Sequence, residues 1–221
     1  MLGSVLTTAE LADSDPQPDG CGACRRCLDG CPTGAIVEPG VVDAGRCLAW
    51  LLQKTGPFPR RYRSALGNRI YGCDDCQEVC PPNRRADAAA VDGDRMDVLE
   101  LLSVPDAELL RRCDRWYIPD RDPRWIRRNA LVVAGNADPQ PGNLAEALKR
   151  EVERYLHHHD PVLRAQALWS ARRLGIGDRG AHLADDPDPI VREEWEAPVE
   201  LSSPCDGGCL LYTSPSPRDR G

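Results

Sequence analysis

The sequence predicts a mainly α-helical protein with a small β contribution, in which a cysteine-rich module precedes a longer helical region. Two observations lead to this fold class. Eight of the eleven cysteines lie between Cys21 and Cys80, in a segment with few large apolar side chains. From Met96 onward, apolar residues recur with the period of amphipathic helices. The predicted divisions are residues 1–20, 21–90, 95–200 and 201–221.

The composition excludes several classes of protein. A chain of 221 residues, of which 41% are hydrophobic, is long enough to bury a core. No apolar run reaches the ~18 residues of a membrane span, and residues 1–19 lack the basic and apolar segments of a secretory signal. Eleven cysteines, an odd number, disfavour a complete disulfide framework. We therefore predict a cytoplasmic protein, without a membrane partner, whose reduced thiols bind metal.

The cysteines form two spaced groups. The first, residues 21–32, reads C-x2-C-x2-C-x3-C-P. This is the run of bacterial ferredoxins, in which the fourth thiolate serves the other cluster of a pair. The second group, residues 73–81, reads C-x2-C-x3-C-P and has Ile70 where a further cysteine would stand. Cys47 is the spare cysteine of the segment and completes a second set of four.

The spacing therefore predicts a bacterial ferredoxin-like module with two 4Fe–4S clusters and crossed ligation. The two ligand sets are Cys21, Cys24, Cys27 and Cys80 for one cluster, and Cys31, Cys47, Cys73 and Cys76 for the other. A structural zinc site from the first two cysteines of each group is the alternative, but it leaves the other four without a role. A two-cluster module transfers electrons. Because large apolar residues are few, we expect it to fold poorly without metal.

Two basic stretches stand out although the whole chain has a net charge of −7. Residues 46–85 carry eight Lys and Arg against three Asp and Glu. This favours contact with nucleic-acid phosphates, and compensation of the clusters' negative charge is the alternative. In residues 111–128, arginines are interleaved with Trp116, Tyr117 and Trp125. This combination suits RNA, but for each aromatic residue taken singly a place in the core is at least as well supported.

The helical region contains a repeat. Three segments begin with Asp-Pro, at Asp122, Asp160 and Asp188, and each continues with arginine and apolar residues. Aspartate caps helices and proline suits their first position. The intervals are 38 and 28 residues, and the first approaches the ~40-residue period of HEAT repeats. We predict a HEAT-like α-solenoid that offers a binding surface, with an ordinary helical bundle as the alternative.

Two further segments carry weaker predictions. The run His157–His159 is not expected to bind metal, because three consecutive residues do not share one helix face. Residues 201–221 change to a low-complexity composition that includes Cys205 and Cys209. We predict that they are disordered and foreign to the fold.

Three stretches resemble the epoxyqueuosine reductase family. They are CGACRRCLDGCPTGAI at 21–36, DAGRC at 43–47 and GNRIYGCDDCQEVCPPN at 67–83. The helical repeats fit this family as well, and the resemblance extends over about residues 2–200. It is specific, because ordinary ferredoxins lack both the YGCDDCQ stretch and the helical region.

The resemblance implies the last step of queuosine synthesis, in which the epoxide of epoxyqueuosine at the wobble position of tRNA is reduced to an alkene. It implies cobalamin as a second cofactor, an external electron donor that feeds the two clusters, and the same eight cysteine ligands. Leu48, Cys73 and Asp74 are the residues that it places at the cobalamin. In the variable loop 48–69, the candidate tRNA contacts are Lys54, Arg60, Arg61, Arg63 and Arg69. We expect a monomer.

One departure from the family bears on activity. The family has a large N-terminal α/β domain that binds most of the cobalamin and supplies the catalytic acid, whereas residues 1–20 resemble only the end of such a domain. We therefore expect no catalytic proton donor in this sequence, which reads as a C-terminal portion. Two other functions stay open: a ferredoxin-type electron carrier with a partner-binding helical domain, and a repeat protein whose clusters only support its fold.

Overall fold

The computed structural model of the chain describes residues 6–12, 15, 20–83, 96–137 and 142–198, and the backbone of residues 212 and 213. The helices in these ranges are α1 (Arg26–Asp29), α2 (Leu48–Gln53), α3 (Arg63–Leu66), α4 (Asp75–Glu78), α5 (Val98–Ser103), α6 (Asp106–Arg112), α7 (Arg124–Asn136), α8 (Asn143–Leu156), α9 (Pro161–Arg173) and α10 (Pro189–Glu196). The strands are β1 (Ile36–Glu38), β2 (Val41–Val42), β3 (Met96–Asp97) and β4 (Tyr212–Thr213). The prediction of a mainly helical chain with little β-structure is confirmed.

The strands form two small antiparallel pairs. β1 pairs with β2 in the segment between Cys31 and Cys47. β3 pairs with β4, so that the backbone of residues 212 and 213 lies beside the start of α5. The other residues of 201–221, including both cysteines of that segment, lie outside the described residues, as does the predicted division between 90 and 95.

The long helices are arranged in two layers. α7, α9 and α10 lie side by side with α9 in the middle. α8 packs on α9 and α5, and the 3-10 segment Gly177–Asp185 packs on α9 and α10. α7, α9 and α10 form the first layer. The second layer consists of α5, α8 and the segment Gly177–Asp185, which pack on α7, α9 and α10 respectively. Among the described residues, no helix is both long and apolar enough to cross a bilayer.

The Asp-Pro segments at Asp160 and Asp188 begin α9 and α10 as the sequence predicts. At α7 the prediction is wrong in detail, because Pro123 occupies the N-cap and the Asp122 carboxylate accepts the Arg124 amide at 2.9 Å. The Asp160 carboxylate accepts the Leu163 amide at 3.1 Å, and the Asp188 carboxylate accepts the Ile190 amide at 2.9 Å. Pro161 and Pro189 stand at the first position of α9 and α10, where a helix has no use for the missing N–H. Local chemistry thus fixes where these helices start.

Polar side chains of α7 attach the chain between the two cysteine groups to the helical region. The Arg128 guanidinium donates to four backbone carbonyls, those of Leu51, Leu52, Lys54 and Gly56. The Asn129 amide donates to the carbonyls of Leu52 and Ile70, and the Asn136 amide to those of Arg63 and Gly67. Three side chains of one helix therefore satisfy carbonyls along residues 51–70, and this fixes the segment that joins Cys47 to Cys73.

The hydrophobic core continues across the predicted division. Leu48, Phe58 and Ile70 belong to the same buried cluster as Leu131 and Trp169 of the long helices. Residues 48–71 are thus packed as part of the helical region, although they lie between the cysteine groups in sequence. This arrangement places Cys47 and Cys73 at the two ends of a rigid segment.

Candidate iron–sulfur centre

The two cysteine groups fold into similar single turns that pack against each other. α1 and α4 each comprise four residues and lie in contact. Gly30, just before Cys31, suits this close contact, because a Cβ atom at that position would lie 3.0 Å from Cγ2 of Val79 and 3.0 Å from the Arg26 carbonyl oxygen. Cys31 follows α1 and Cys80 follows α4. Cys31, the terminal cysteine of the first group, lies within electrostatic reach of Cys76 in the second group.

The Cys31 thiol lies among hydrogen-bond donors. The Ala35 amide donates to its Sγ at 3.2 Å, and the Thr33 hydroxyl lies 3.8 Å from it. Burial acts to raise the pKa of Cys31, but the N–H groups of Thr33, Ile36 and Ala35 lower it below its usual value. The loop is therefore shaped to hold a thiolate, which is the form that ligates iron.

Cys76 lies within electrostatic reach of two other cysteines of its predicted set, Cys31 and Cys47. Burial raises the pKa of Cys76, and the nearby thiolates of Cys31 and Cys47 raise it further. Cys73 precedes Cys76 by three residues, and burial raises its pKa to about 12. Thiols whose pKa values are raised need a nearby cation to lose their protons. The iron ions of a 4Fe–4S core would be such cations, and cluster binding would release those protons.

The thiols of the other set lie nearer the surface. Cys21 and Cys24 are exposed, while Cys27 and Cys80 are half-buried. The Cys24 amide donates to the Cys21 carbonyl at 3.0 Å, which curls the loop. Among the residues that the structure describes, no three Cys, His, Asp or Glu side chains lie close enough to share one metal ion.

The predicted cobalamin contacts occupy different environments. The Leu48 side chain is 1% exposed and belongs to the hydrophobic core. Cys73 and Asp74 are half-buried, and the Asp74 carboxylate accepts the Gln77 side-chain amide at 2.9 Å. Cys73 and Asp74 thus keep side-chain surface for a ligand, whereas the side chain of Leu48 does not.

The predicted tRNA contacts also divide into two groups. Lys54 and Arg61 are exposed. Arg63 is 2% exposed; its guanidinium donates to the Phe58 carbonyl and, at 3.0 Å, to the Glu194 carboxylate. Arg60 binds the same carboxylate. In this arrangement Arg60 and Arg63 anchor the loop to α10, and Arg63 has no surface left for a phosphate.

Arg69 is held beside the second cysteine group. It donates to both carboxylate oxygens of Asp75 at 2.7 and 2.6 Å. Burial acts to lower the pKa of Arg69, but the Asp75 carboxylate raises it above its usual value. The pair ties the segment after α3 to the start of α4 and so fixes Cys73 between them. A positioning role for Arg69 is therefore visible, in addition to the predicted RNA contact.

Other features singled out in the sequence have clear places. Cys113 is fully buried and burial raises its pKa to about 12, so it is an inert core thiol. Trp116 and Trp125 are core residues, whereas Tyr117 is exposed. The sequence interpretation missed Thr33, whose hydroxyl donates to the Arg46 carbonyl at 2.7 Å and links the loop of Cys31 to that of Cys47. The position of Thr33, two residues after the predicted ligand Cys31, was the sequence feature that could have indicated this role.

The comparisons with known proteins agree with this geometry. Residues 20–83 match the family model described as a 4Fe–4S double cluster binding domain. The chain is 33% identical over 208 residues to the epoxyqueuosine reductase of Bacillus subtilis, covering 90% of this chain and 49% of that protein. An uncharacterised protein of Geobacillus stearothermophilus is 33% identical over 213 residues, with 90% of this chain and 95% of that protein covered.

A solved structure gives the same result in three dimensions. The crystal structure of an epoxyqueuosine reductase with an epoxyqueuosine-modified stem loop of tyrosine tRNA superposes with a TM-score of 0.69 and 29% identity. The match covers 86% of this chain and 52% of that one. The chain therefore spans about half the length of the epoxyqueuosine reductases that it matches.

Proposed function

The chain belongs to the epoxyqueuosine reductase family, and we propose that it supplies the electron-transfer and RNA-binding part of an enzyme that reduces epoxyqueuosine in tRNA to queuosine. The observation that carries this proposal is the fixed attachment of the cysteine turns to the helical region. One structural match with a TM-score of 0.69 spans both parts, and the matching protein holds a modified tRNA stem loop.

The chemistry of the reaction fits a two-cluster protein. Reduction of an epoxide to an alkene takes up two electrons and two protons and releases one water. When bound, a 4Fe–4S cluster accepts and donates single electrons. Cys31, Cys47, Cys73 and Cys76 would hold one cluster, and the remaining four cysteines the other. The amides around Cys31 stabilise its thiolate form, and the Arg69–Asp75 pair keeps Cys73 in place.

Cobalamin enters the proposal through the family resemblance. Cys73 and Asp74 have side-chain surface for it, and they directly follow Gly72 at the end of the rigid segment. Leu48 contributes by fixing the backbone after Cys47, because its side chain is buried in the core. These residues would orient the cofactor next to the ligands of one cluster, and no proton donor for the substrate is assigned to them.

We further infer that the helical region is a HEAT-like α-solenoid. The support is a ladder of ion pairs between successive Asp-Pro segments. Arg124 of α7 donates to Asp160 at 2.7 Å, and Arg164 of α9 donates to both oxygens of Asp186 at 2.8 Å. Each pair ties the start of one first-layer helix to the next. Such stacking presents an extended surface, and Lys54 and Arg61 lie exposed beside it for RNA phosphates.

Anaerobic reconstitution followed by RNA binding tests the proposal. We expect about eight irons per chain, the spectrum of two 4Fe–4S clusters, and tighter binding of an anticodon stem loop that carries epoxyqueuosine than of the unmodified stem loop. Cobalamin and a low-potential reductant are then added to the reconstituted protein and its RNA. Mass spectrometry of the digested RNA measures the conversion of epoxyqueuosine to queuosine. A protein with two redox-active clusters but no affinity for either RNA would favour the ferredoxin-type carrier instead.

A further inference from the structure

Tyr117 differs from the aromatic residues beside it in sequence. Trp116 and Trp125 are 8% and 7% exposed, whereas the Tyr117 side chain lies in solvent with 64% of its surface exposed. Within the described residues, neither an aromatic ring nor a guanidinium group is stacked on the Tyr117 ring. A large aromatic surface presented in this way is available for a partner.

The loop that carries Tyr117 is held in a strained and rigid conformation. Asp120 and Arg121 have φ values of 53° and 52°, in the left-handed region that residues with a Cβ rarely adopt. The Arg121 guanidinium fixes the loop by donating to backbone carbonyls. Its acceptors are Leu110, Cys113, Asp114 and Trp116. Such strain persists only where surrounding contacts hold the backbone in place, and strained residues cluster at functional and ligand-binding sites.

The loop is also hydrogen-bonded to the segment that leads into the second cysteine group. The Tyr117 amide donates to the hydroxyl of Tyr71 at 2.9 Å. The Tyr71 ring stacks on Trp116 with centroids 4.6 Å apart and planes 5° from parallel. Tyr71 lies two residues before Cys73 in the chain. The position of the Tyr117 backbone is therefore set by the same residue that leads into the second cysteine group.

The charge around Tyr117 favours an anionic partner. Residues 111–124 carry five arginines against three aspartates. Arg115, two residues away, is exposed and forms no ion pair among the described residues, although Asp114 and Asp120 lie on the same loop. An exposed aromatic ring and an exposed arginine two residues away in sequence are typical of loops that stack an unpaired base and contact its phosphate.

We propose that Tyr117 is a base-stacking residue, which receives one unpaired base of the substrate RNA loop next to the Cys73 turn. This inference rests on the proposed function and assigns to it a contact that the basic residues do not provide. Arg115 serves as the accompanying phosphate contact. The hydrogen-bonded loop fixes the backbone at Tyr117 before the RNA binds, so that little conformational entropy is lost on binding.

The test is the binding of a fluorescent anticodon stem loop, with 2-aminopurine in the loop, to the reconstituted chain with both clusters. Tyr117→Ala should weaken binding by about fivefold to about 100-fold, the range for one stacked base, and should abolish quenching of 2-aminopurine. Tyr117→Phe and Tyr117→Trp should keep the affinity of the wild type and the quenching of 2-aminopurine. Since stacking releases no counterions, the salt dependence of Tyr117→Ala should equal that of the wild type, whereas Arg115→Gln should reduce the salt slope by about 1.

The matched control is Leu144→Ala, because Leu144 is an apolar side chain of 47% exposure on α8. It should leave affinity and quenching unchanged. If the wild type binds the stem loop and Tyr117→Ala binds it equally well, the stacking role is overturned while the proposed function stands. If the wild type has no affinity for RNA, both fail together. Thermal unfolding of each variant shows whether a loss of binding reflects a loss of fold.

Discussion

The cysteine turns and the helical region are stabilised by different means. α1 and α4 contain no buried residue, and Cys21 and Cys24 are exposed. In α7, by contrast, twelve of the thirteen residues are buried. Packing therefore stabilises the helices, whereas the cysteine turns bury little apolar surface, and we expect them to depend on bound metal.

The comparison also shows that the hydrophobic core extends between the two cysteine groups. Residues 48–71 stand between the cysteine groups in sequence, yet they are part of the helical core. The part that we expect to depend on metal is thus reduced to the segments around two short turns, and both are connected to the helical core.

Removal of iron gives the sharpest test of this difference. After anaerobic chelation, the amides of residues 21–47 and 73–80 should lose their protection from hydrogen exchange completely, because no packed core remains to close those turns. The amides of α7 and α9 should keep theirs. Mass spectrometry of the exchanged peptides measures both regions at once. Equal loss of protection in the two regions would show that the helices depend on the metal as well.

Truncation of Arg128 should have the largest effect within the helical region. Burial lowers the pKa of this guanidinium to about 9, so it remains charged at neutral pH. Arg128→Ala leaves buried carbonyls of residues 51–56 without donors and opens a cavity, at a cost of ~3–5 kcal/mol in the free energy of unfolding. Urea denaturation measures it. Arg150→Ala, at an exposed arginine of α8, should stay within ~0.5 kcal/mol of the wild type.

Gly135→Ala tests the packing between α7 and α9. An alanine Cβ would lie 2.4 Å from Cζ3 of Trp169 and 3.0 Å from Cα of Ser170. Overpacking of this kind destabilises by ~1–3 kcal/mol, although alanine in a helix interior is otherwise favoured over glycine by ~1 kcal/mol. We therefore expect Gly135→Ala to destabilise the protein, whereas helix propensity alone predicts stabilisation. A thermal unfolding temperature above that of the wild type would contradict the close contact.

The smallest effect is expected from a helix cap. Asp188→Ala removes the carboxylate that accepts the Ile190 amide and should lower the free energy of unfolding by ~1 kcal/mol. Asp188→Ser retains an acceptor and should recover most of this loss. Both variants should leave iron content unchanged, since α10 packs mainly on α9 and on the segment Gly177–Asp185. Loss of iron from Asp188→Ala would mean that the two regions are coupled more tightly than the contacts indicate.

Several elements were predictable because their causes are local in sequence. The start of α9 follows from Asp160 and Pro161, which cap and begin it. α8 (Asn143–Leu156) follows from apolar residues that recur at helical spacing. α6 begins at Asp106, directly after Pro105, which occupies its N-cap.

The sequence alone determined the chemistry of the thiols, because the spacing within each cysteine group sets which sulfur atoms a single turn can present together. Only the tertiary structure decided which charged and aromatic side chains are available to a partner. Arg63 is removed from the surface by Glu194, 131 residues later, and Tyr117 is exposed while Trp116 beside it stacks on Tyr71. Exposure depends on contacts between distant parts of the chain, and no local pattern encodes them.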